Sequence, residues 1–369
     1  LQQYRAALAL RRRTLPPPDP RIGYSLNGCA YTLSRTGDLG AAQELFEQAL
    51  AIFEPALGPE HPETVQTVVA LAGLALETGD LQKGLALAER AAAGAIKAFG
   101  PRHHTTCTIR ASYGRALLDA DRPADARREV EAALATLREV LGPDHEEIVK
   151  ALMSLAAVDE HEGKLDRALG HVEEAKRMRE RVLGPDHPYV ADCLHRQARV
   201  TQARGDPGPA LVLAEHGLAI REKILGHDAP EVAESLLAIA RLQLELGRPD
   251  RALEAAVRAE DIGRRHFVMV VQVLSEREAL RYARLRVSAL DLLLELASPH
   301  AAAAPAVTAA WQAVSRSRAL VLEEMAERRR IAGSREAEVG PLVAELATAR
   351  ENYLRLVIRG PGDETPERF

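Results

Sequence analysis

Apolar residues recur along most of the chain at spacings of three and four positions, which place them on one side of an α-helix. In the stretch that begins at Pro62 this spacing joins Val65, Val68 and Ala72, and the stretch that begins at Leu81 continues it. The two-residue alternation that is typical of β-strands is nearly absent. The pattern therefore predicts an all-α protein made of amphipathic helices of about four to five turns.

Two kinds of break interrupt the apolar pattern, and both return at steps of 42 residues. The first is a loop that we call the Gly-Pro loop, although its last copy has Gly-His in place of Gly-Pro. It reads LGPEHPE from Leu57, FGPRHHT from Phe99, LGPDHEE from Leu141, LGPDHPY from Leu183 and LGHDAPE from Leu225. The second is a residue that can end a helix in the left-handed conformation, found as Gly37, Gly79, Asp121, Gly163, Gly205 and Gly247. Two breaks per period predict a repeating unit of two helices.

Three positions of this unit hold only alanine or glycine. They are the series that start at Ala30, Ala42 and Ala49 and continue in steps of 42 residues. Small side chains allow two helices to approach at the short end of the usual interaxial range. We therefore expect these positions to form the contacts within a helix pair and between successive pairs.

A two-helix unit with small residues at these positions resembles the tetratricopeptide repeat. The longer unit with its LGPxHP loop is similar to the variant found in kinesin light chains and in many bacterial signalling proteins. The resemblance covers residues 1–266, as a half repeat followed by six full repeats. It implies a right-handed superhelical solenoid of antiparallel helix pairs in which each repeat contacts its neighbours and the first helices line the concave side.

The repeat stops at Phe267, where no Gly-Pro loop follows. A Ser-x-x-Glu capping pattern and the apolar spacing beyond it predict long helices in place of repeats. The expected helices span Glu276 to about Ala297, Ala306 to Arg330, and about Ala337 to Ile358.

The segments LSEREALRYA, WQAVSRSRALVLEEMAERRR and LATARENYLRLVIRGP resemble the connector between tetratricopeptide arrays and CHAT domains. CHAT domains look like caspases and use a His/Cys pair for peptide cleavage. The resemblance implies that residues 267–369 form a helical connector that leads to a CHAT-type domain outside this chain. Because the chain begins inside a helical pattern without an initiator methionine, we expect it to be a fragment of a longer protein.

Composition and charge restrict the classes of partner. Hydrophobic residues make up 47% of the chain but aromatic residues only 4%, a mixture typical of closely packed helices. The formal net charge is -5, with acids and bases interleaved, which predicts neither nucleic acid nor a membrane surface as a partner. No apolar stretch reaches the roughly 18 residues of a membrane-spanning helix.

The cysteines and the recurrent histidines are the candidates for chemistry. Cys29, Cys107 and Cys193 are too scattered for a disulfide framework or a zinc site, and we interpret them as buried, inert thiols of a cytoplasmic protein. One histidine recurs per repeat, and successive repeats are too far apart to share one metal ion. We expect these residues to pack in the loops, and they are His61, His103, His145 and His187. No catalytic set, cofactor or metal site is predicted, so this chain is not expected to be an enzyme.

The exposed side of the first helices remains as the candidate binding surface. We expect a protein or peptide partner on this concave face. Its predicted residues are Tyr24, Asn27, Tyr31, Arg115, Lys150, Asp192, His195, Arg199, Glu234 and Arg241. In related arrays an asparagine at the position of Asn27 bonds a peptide backbone, but the other repeats of this chain carry different residues there.

Three functions fit these observations. In the first, the array binds a protein partner and relays binding to a caspase-like protease domain in the same polypeptide. In the second, the chain is an adaptor similar to the cargo-binding modules of kinesin light chains. In the third, it is the sensor end of a nucleotide-switching ATPase.

Overall fold

The computed structural model describes residues 2–16, 18–35, 39–271, 287–297 and 304–317. All secondary structure in these ranges is helical, in agreement with the all-α prediction. The helices are α1 (Gln2–Thr14), α2 (Pro20–Arg35), α3 (Leu39–Leu57), α4 (Pro62–Glu77), α5 (Leu81–Phe99), α6 (His104–Asp119), α7 (Pro123–Leu141), α8 (Glu146–His161), α9 (Leu165–Leu183), α10 (Pro188–Ala203), α11 (Pro207–Leu225), α12 (Pro230–Glu245), α13 (Pro249–Val271), α14 (Leu290–Leu296) and α15 (Ala304–Ser317).

The glycine break between the two helices of a pair works as the sequence predicts. After α4, Gly79 has a φ of 84°, and the N–H of Asp80 reaches the carbonyl of Ala75 at 2.8 Å. This bond satisfies a carbonyl that the end of the helix would otherwise leave free. Asp121 takes the same left-handed conformation with a φ of 58°, whereas Gly37 lies outside the described residues.

The Gly-Pro loop joins each second helix to the next first helix. Gly58, with a φ of 94°, directly follows α3, and Pro62 is the first residue of α4. Proline suits that position because its missing N–H would have no partner inside the helix. Pro188 and Pro230 begin α10 and α12 in the same way.

The chain divides into two compact units. Unit 1 is Leu1–Arg204 and unit 2 is Gly205–Phe369. In unit 1, each helix from α1 to α10 packs against the next one along the chain, as in a solenoid of helix pairs. In unit 2, α11, α12 and α13 pack consecutively, and α14 and α15 both contact α13.

The small residues lie at the closest helix contacts. The residues of the three alanine and glycine series are buried in both units. At Gly114 on α6, a Cβ atom would lie 2.4 Å from Val130 Cγ2 and 3.2 Å from the carbonyl oxygen of Ala126, both on α7. At Gly114 the predicted role in close helix packing is confirmed, because a larger side chain would collide with α7.

Ion pairs link the second helices of successive pairs. In unit 1, Lys83 pairs with Glu47 at 2.9 Å, Arg90 pairs with Glu54, and Arg138 pairs with Glu174 at 2.6 Å. In unit 2, Arg258 pairs with Glu222. In each of these four pairs the partners are 36 residues apart. We call this series the outer ladder.

The C-terminal part differs from the prediction in one respect. Residues 287–289 are not helical, so a continuous helix from Glu276 to Ala297 is wrong, and α14 is a separate short helix. The reason is a contact with α13: Glu260 accepts hydrogen bonds from the Ser288 hydroxyl and the Ala289 N–H. Residues 318–330 of the second predicted helix and all of the third lie outside the described residues.

The expected limit of the repeats between residues 266 and 267 falls inside α13. This helix continues to Val271, and Phe267 is buried within unit 2. No helix in the described ranges is long and apolar enough to cross a lipid bilayer.

Candidate partner-binding face

The first helices of unit 1 share one solvent-exposed side, which we call the first-helix face. Tyr24 and Tyr31 on α2 are both exposed on it and are seven residues apart, a spacing that returns to one side of a helix after two turns. Eight of the predicted binding residues belong to unit 1, whereas Glu234 and Arg241 belong to unit 2.

Tyr24 and Tyr31 form rigid aromatic anchors. Their exposures are 41% and 45%. The Tyr24 ring meets Phe53 edge-on with centroids 5.3 Å apart, and the Tyr31 ring meets Phe46 in the same manner at 4.9 Å. Because the buried phenylalanines of α3 hold both rings, binding through them needs little further ordering. Partial burial raises the pKa of the Tyr31 phenol, with a smaller effect from Glu63, so its hydroxyl stays protonated at neutral pH.

Asn27 lies between the two tyrosines but is 6% exposed, so it is not on the open surface where the sequence puts it. Its Nδ2 donates to Thr67 Oγ1 on α4 at 2.8 Å, and Thr67 Oγ1 donates to the carbonyl of Glu63. This chain of hydrogen bonds draws the amide inward. The Asn27 Oδ1 is buried without a hydrogen-bond partner among the described residues, which leaves an unsatisfied acceptor at the base of the anchors.

A third tyrosine that the sequence analysis missed borders the same anchors. The ring of Tyr4 on α1 lies over Gly28, where a Cβ atom would be 2.4 Å from the ring. Tyr4 is 49% exposed. The other repeats carry Ala, Ser or Arg at the position of Gly28. Glycine in this one repeat is the feature of the sequence that could have indicated a side chain packed closely against α2.

Arg115 and Lys150 are exposed on α6 and α8, as predicted. Each pairs with an acid of its own helix, Arg115 Nε with Asp119 at 3.1 Å and Lys150 Nζ with Glu147 at 2.8 Å. Exposed pairs of this kind contribute about 1 kcal/mol or less. Both cations can therefore exchange these acids for the carboxylates of a partner at small cost.

Arg199 on α10 shares one carboxylate with a residue that was not predicted. Glu160 on α8 accepts from Arg199 at 2.7 Å and from the half-buried Arg196 at 2.6 Å. Burial lowers the pKa of Arg196, Glu160 opposes that shift, and the charges of Arg199 and Arg115 add to it. One acid between two guanidinium groups leaves this part of the face positively charged.

The remaining predicted residues are less suited to contact a partner. Asp192 and His195 are half-buried on α10, and both interact with other groups of the protein. In unit 2, Glu234 is exposed near Arg221, with 3.6 Å between Oε2 and NH1, and Arg241 is exposed on α12.

The recurrent histidines cap the first helices. In His61, His103, His145 and His187 the Nδ1 atom accepts a hydrogen bond from the backbone N–H two residues later, at 3.1 to 3.2 Å. The contact requires an unprotonated Nδ1. It gives these residues a structural role in the loop, and the sequence analysis did not foresee capping by histidine.

The thiols are placed for packing. Cys29, Cys107 and Cys193 are free and buried, as predicted. Burial raises the pKa of each thiol, which disfavours the nucleophilic thiolate. In the part of the chain that the structure describes, no group of three or more His, Cys, Asp or Glu residues could hold a metal ion.

The repeat pattern, the helix pairs and the sequence profile of a known family agree. The profile of the tetratricopeptide repeat matches residues 25–83, 63–139 and 147–223, which together make up more than half of the chain. The chain belongs to the tetratricopeptide-repeat family. Among proteins with curated descriptions, none matches it.

Solved structures with tetratricopeptide folds resemble the chain. The TPR-like repeats of a kinesin light chain from Podosopora anserina are 25% identical to it with a TM-score of 0.50, covering 57% of this chain and 99% of that one. BtubC (BKLC) from P. vanneervenii is 19% identical with a TM-score of 0.53, covering 61% and 91%. NprR in complex with its peptide NprX is 16% identical with a TM-score of 0.55, covering 98% and 93%. At the identities of the last two structures, 19% and 16%, the likeness shows a shared fold and nothing more.

Proposed function

We propose that this tetratricopeptide-repeat chain is a scaffold that binds an extended segment of a protein partner on the first-helix face of unit 1. Tyr4, Tyr24 and Tyr31 bind the side chains of the segment, and Asn27 binds its backbone. Arg115 and Arg199 contact acidic side chains further along. The chain itself performs no reaction in this proposal.

The observation that carries the proposal is the environment of Asn27. In the described part of the chain its Oδ1 is a buried acceptor without a hydrogen-bond partner, and it lies on α2 between two tyrosines whose rings Phe53 and Phe46 contact. A buried polar atom without a hydrogen bond costs about 1 to 3 kcal/mol, and in this proposal the Asn27 side chain shifts toward the surface so that Oδ1 accepts from a peptide N–H and the cost is removed. Tyrosines at the centre of a surface are also the residues that contribute most to binding.

The structural neighbours support a peptide or protein as the partner class. NprR, which shares the fold, was solved with its cognate peptide NprX. The likeness to kinesin-light-chain repeats supports the same general role. The peptide NprX is a partner of NprR. For this chain, the partner class is proposed from the residues of the first-helix face.

The test is a selection of peptides followed by affinity measurements. A random-peptide display library is selected on the full chain, and the dissociation constants of the selected peptides are measured by calorimetry. Asn27→Leu places at this position the residue that the sixth repeat carries, Leu237, and removes the acceptor. We expect it to weaken binding about tenfold or more, with a similar or larger loss for Tyr24→Ala.

Tyr189→Ala is the matched control. Tyr189 is an exposed tyrosine in the first turn of α10, away from the anchors of α2. Its replacement is expected to change affinity by less than about twofold. Selected peptides that bind Asn27→Leu and Tyr24→Ala as tightly as the wild type would contradict the proposal, and so would a library that yields no binder.

We propose further that partner binding in the full protein regulates a CHAT-type, caspase-like domain in the same polypeptide, in a bacterial cytoplasm. The resemblance of the segments from Leu274 onward to such connectors supports the CHAT-type domain. The three free cysteines support the reducing compartment. The adaptor and the ATPase sensor are the alternatives. The coding sequence around this region distinguishes them: a downstream His and Cys on strand ends supports the protease, and an upstream Walker loop supports the ATPase.

A further inference from the structure

The last helix of the array carries a carboxylate at a position that is mostly apolar in the other repeats. The equivalent residues in steps of 42 are Leu8, Leu50, Ala92, Leu134, Lys176, Leu218 and Glu260. Leu8, Ala92 and Leu134 are buried against neighbouring helices. A carboxylate at such a position is costly unless hydrogen bonds compensate it, so the exchange at Glu260 calls for a specific partner.

Among the described residues, Glu260 contacts the start of α14. Glu260 is 3% exposed. Its Oε2 accepts from the Ser288 hydroxyl at 3.0 Å and from the Ala289 N–H at 2.9 Å, while Ser288 Oγ accepts from the Leu290 N–H at 3.3 Å. One carboxylate therefore fixes both the residue that starts α14 and the direction in which this helix leaves.

The next residue reaches the following helix. Asp261 Oδ1 lies 3.6 Å from NH1 of Arg316 on α15, and Arg264 of α13 is 3.9 Å from the same oxygen. Two consecutive acids of α13 thus reach the C-terminal helices: Glu260 contacts the residues that start α14, and Asp261 contacts Arg316 of α15.

The helix that Glu260 holds is too short to persist alone. Leu290–Leu296 has seven residues, whereas isolated helices shorter than about 12 residues are marginal in water. Leu292, Leu293 and Leu296 are buried in the docked state. Docking and helix formation are therefore one event, and loss of the anchoring hydrogen bonds removes both together.

We propose that Glu260 and Asp261 form a latch that holds α14 and α15 on α13, and that these two helices leave α13 together while the repeats stay folded. Glu260 is the positioning residue of the latch. The latch concerns unit 2 alone and does not depend on partner binding, so its failure and the failure of the proposed function are separate outcomes.

The test is hydrogen exchange on the full chain without a ligand. Glu260→Leu restores the residue that other repeats carry at this position, and we expect the amides of residues 289–297 to exchange about tenfold faster or more. Ser288→Ala changes no residue of the repeats and is expected to act in the same direction. Asp261→Ala is expected to accelerate exchange in Ala304–Ser317. In all three variants the amides of α12 are expected to keep their wild-type rates.

Glu254→Leu is the matched control. Glu254 lies on the same helix with a side-chain exposure of 77%, and its replacement is expected to leave exchange at residues 289–297 unchanged. The proposal is overturned if Glu260→Leu and Ser288→Ala leave these rates within about twofold of wild type. It is equally overturned if α12 loses protection to the same degree, because Glu260 would then support the repeat itself.

Discussion

In the loop before each first helix, which we call a joint, one residue stands at the position that can cap the N-terminus of that helix. Asp19 fills this position before α2, where its Oδ1 accepts from the Arg21 N–H at 2.9 Å, and four histidines fill it in the next repeats. The side-chain hydrogen bond to Arg21 lowers the pKa of Asp19 to about 2. Serine, threonine, aspartate and asparagine are the usual caps, so histidine in a loop gave no signal for this role. The last joint has Ala229, which offers no acceptor.

Ala229→Asp is expected to stabilise the protein by about 0.5 to 2 kcal/mol, because it supplies the missing cap and places a negative charge at the start of α12. The free energy of unfolding from urea titration measures the gain. Ala229→Leu, which brings no acceptor, serves as the control and is not expected to stabilise. Equal stabilities of the aspartate and leucine variants would show that this joint does not need a cap.

Within a helix pair, glycines with different surroundings have opposite effects. Gly114 meets Val130 and the Ala126 carbonyl of α7, whereas a Cβ atom at Gly73 on α4 would have no atom within 4 Å. The first glycine is required by packing, and the second only weakens its helix. The sequence marks Gly114 as a position for small residues, since its series contains only alanine and glycine. The need for glycine in this repeat comes from the position of Val130.

Gly114→Ala is therefore expected to destabilise by about 1 to 3 kcal/mol through overpacking. Gly73→Ala is expected to stabilise by about 0.5 to 1 kcal/mol through helix propensity. The pair is measured under identical conditions by denaturant unfolding. Changes of the same sign in the two variants would refute the assignment of Gly114 to a close helix contact.

The sequence predicted most elements because their signals are local and repeated. The helix ends at Gly79 and Gly58 follow from glycine conformation, and the exposed faces follow from helical spacing. The break at residues 287–289 could not be predicted in this way, because Ser288 starts a new helix through a contact with Glu260, 28 residues earlier. The inward turn of Asn27 likewise depends on Thr67 in the next repeat, and a single helix does not reveal it.

At the scale of the whole molecule, contacts in unit 1 are mainly between neighbouring helices. In an array of this kind, stability is close to a sum of local terms, and a damaged repeat affects mainly its neighbours. Leu152 on α8 is fully buried in a core cluster that extends from α6 to α10 and draws most of its residues from α7, α8 and α9.

Leu152→Ala is expected to cost about 2 to 5 kcal/mol and to raise hydrogen exchange in α7, α8 and α9. Protection in α2 and α3 is expected to stay near the wild-type value, because they share no core cluster with Leu152. Exchange resolved by peptide checks this distribution. A uniform loss of protection throughout unit 1 would mean that the unit unfolds as one cooperative body.

The outer ladder also favours some repeats over others as neighbours, by about 1 kcal/mol or less for each exposed pair. We call the contact between two successive second helices a seam. At the seam of α3 and α5 the earlier helix supplies the acid, Glu54, which pairs with Arg90. At the seam of α7 and α9 the earlier helix supplies the base, Arg138, which pairs with Glu174. If recombination removed the two repeats that separate these seams, Glu54 would face Glu174, and like charges would repel each other. Duplication of repeats could lengthen this array, but an exchange of repeats would not always bring opposite charges together. The earlier helix carries the acid in the pair Glu54–Arg90 and the base in the pair Arg138–Glu174.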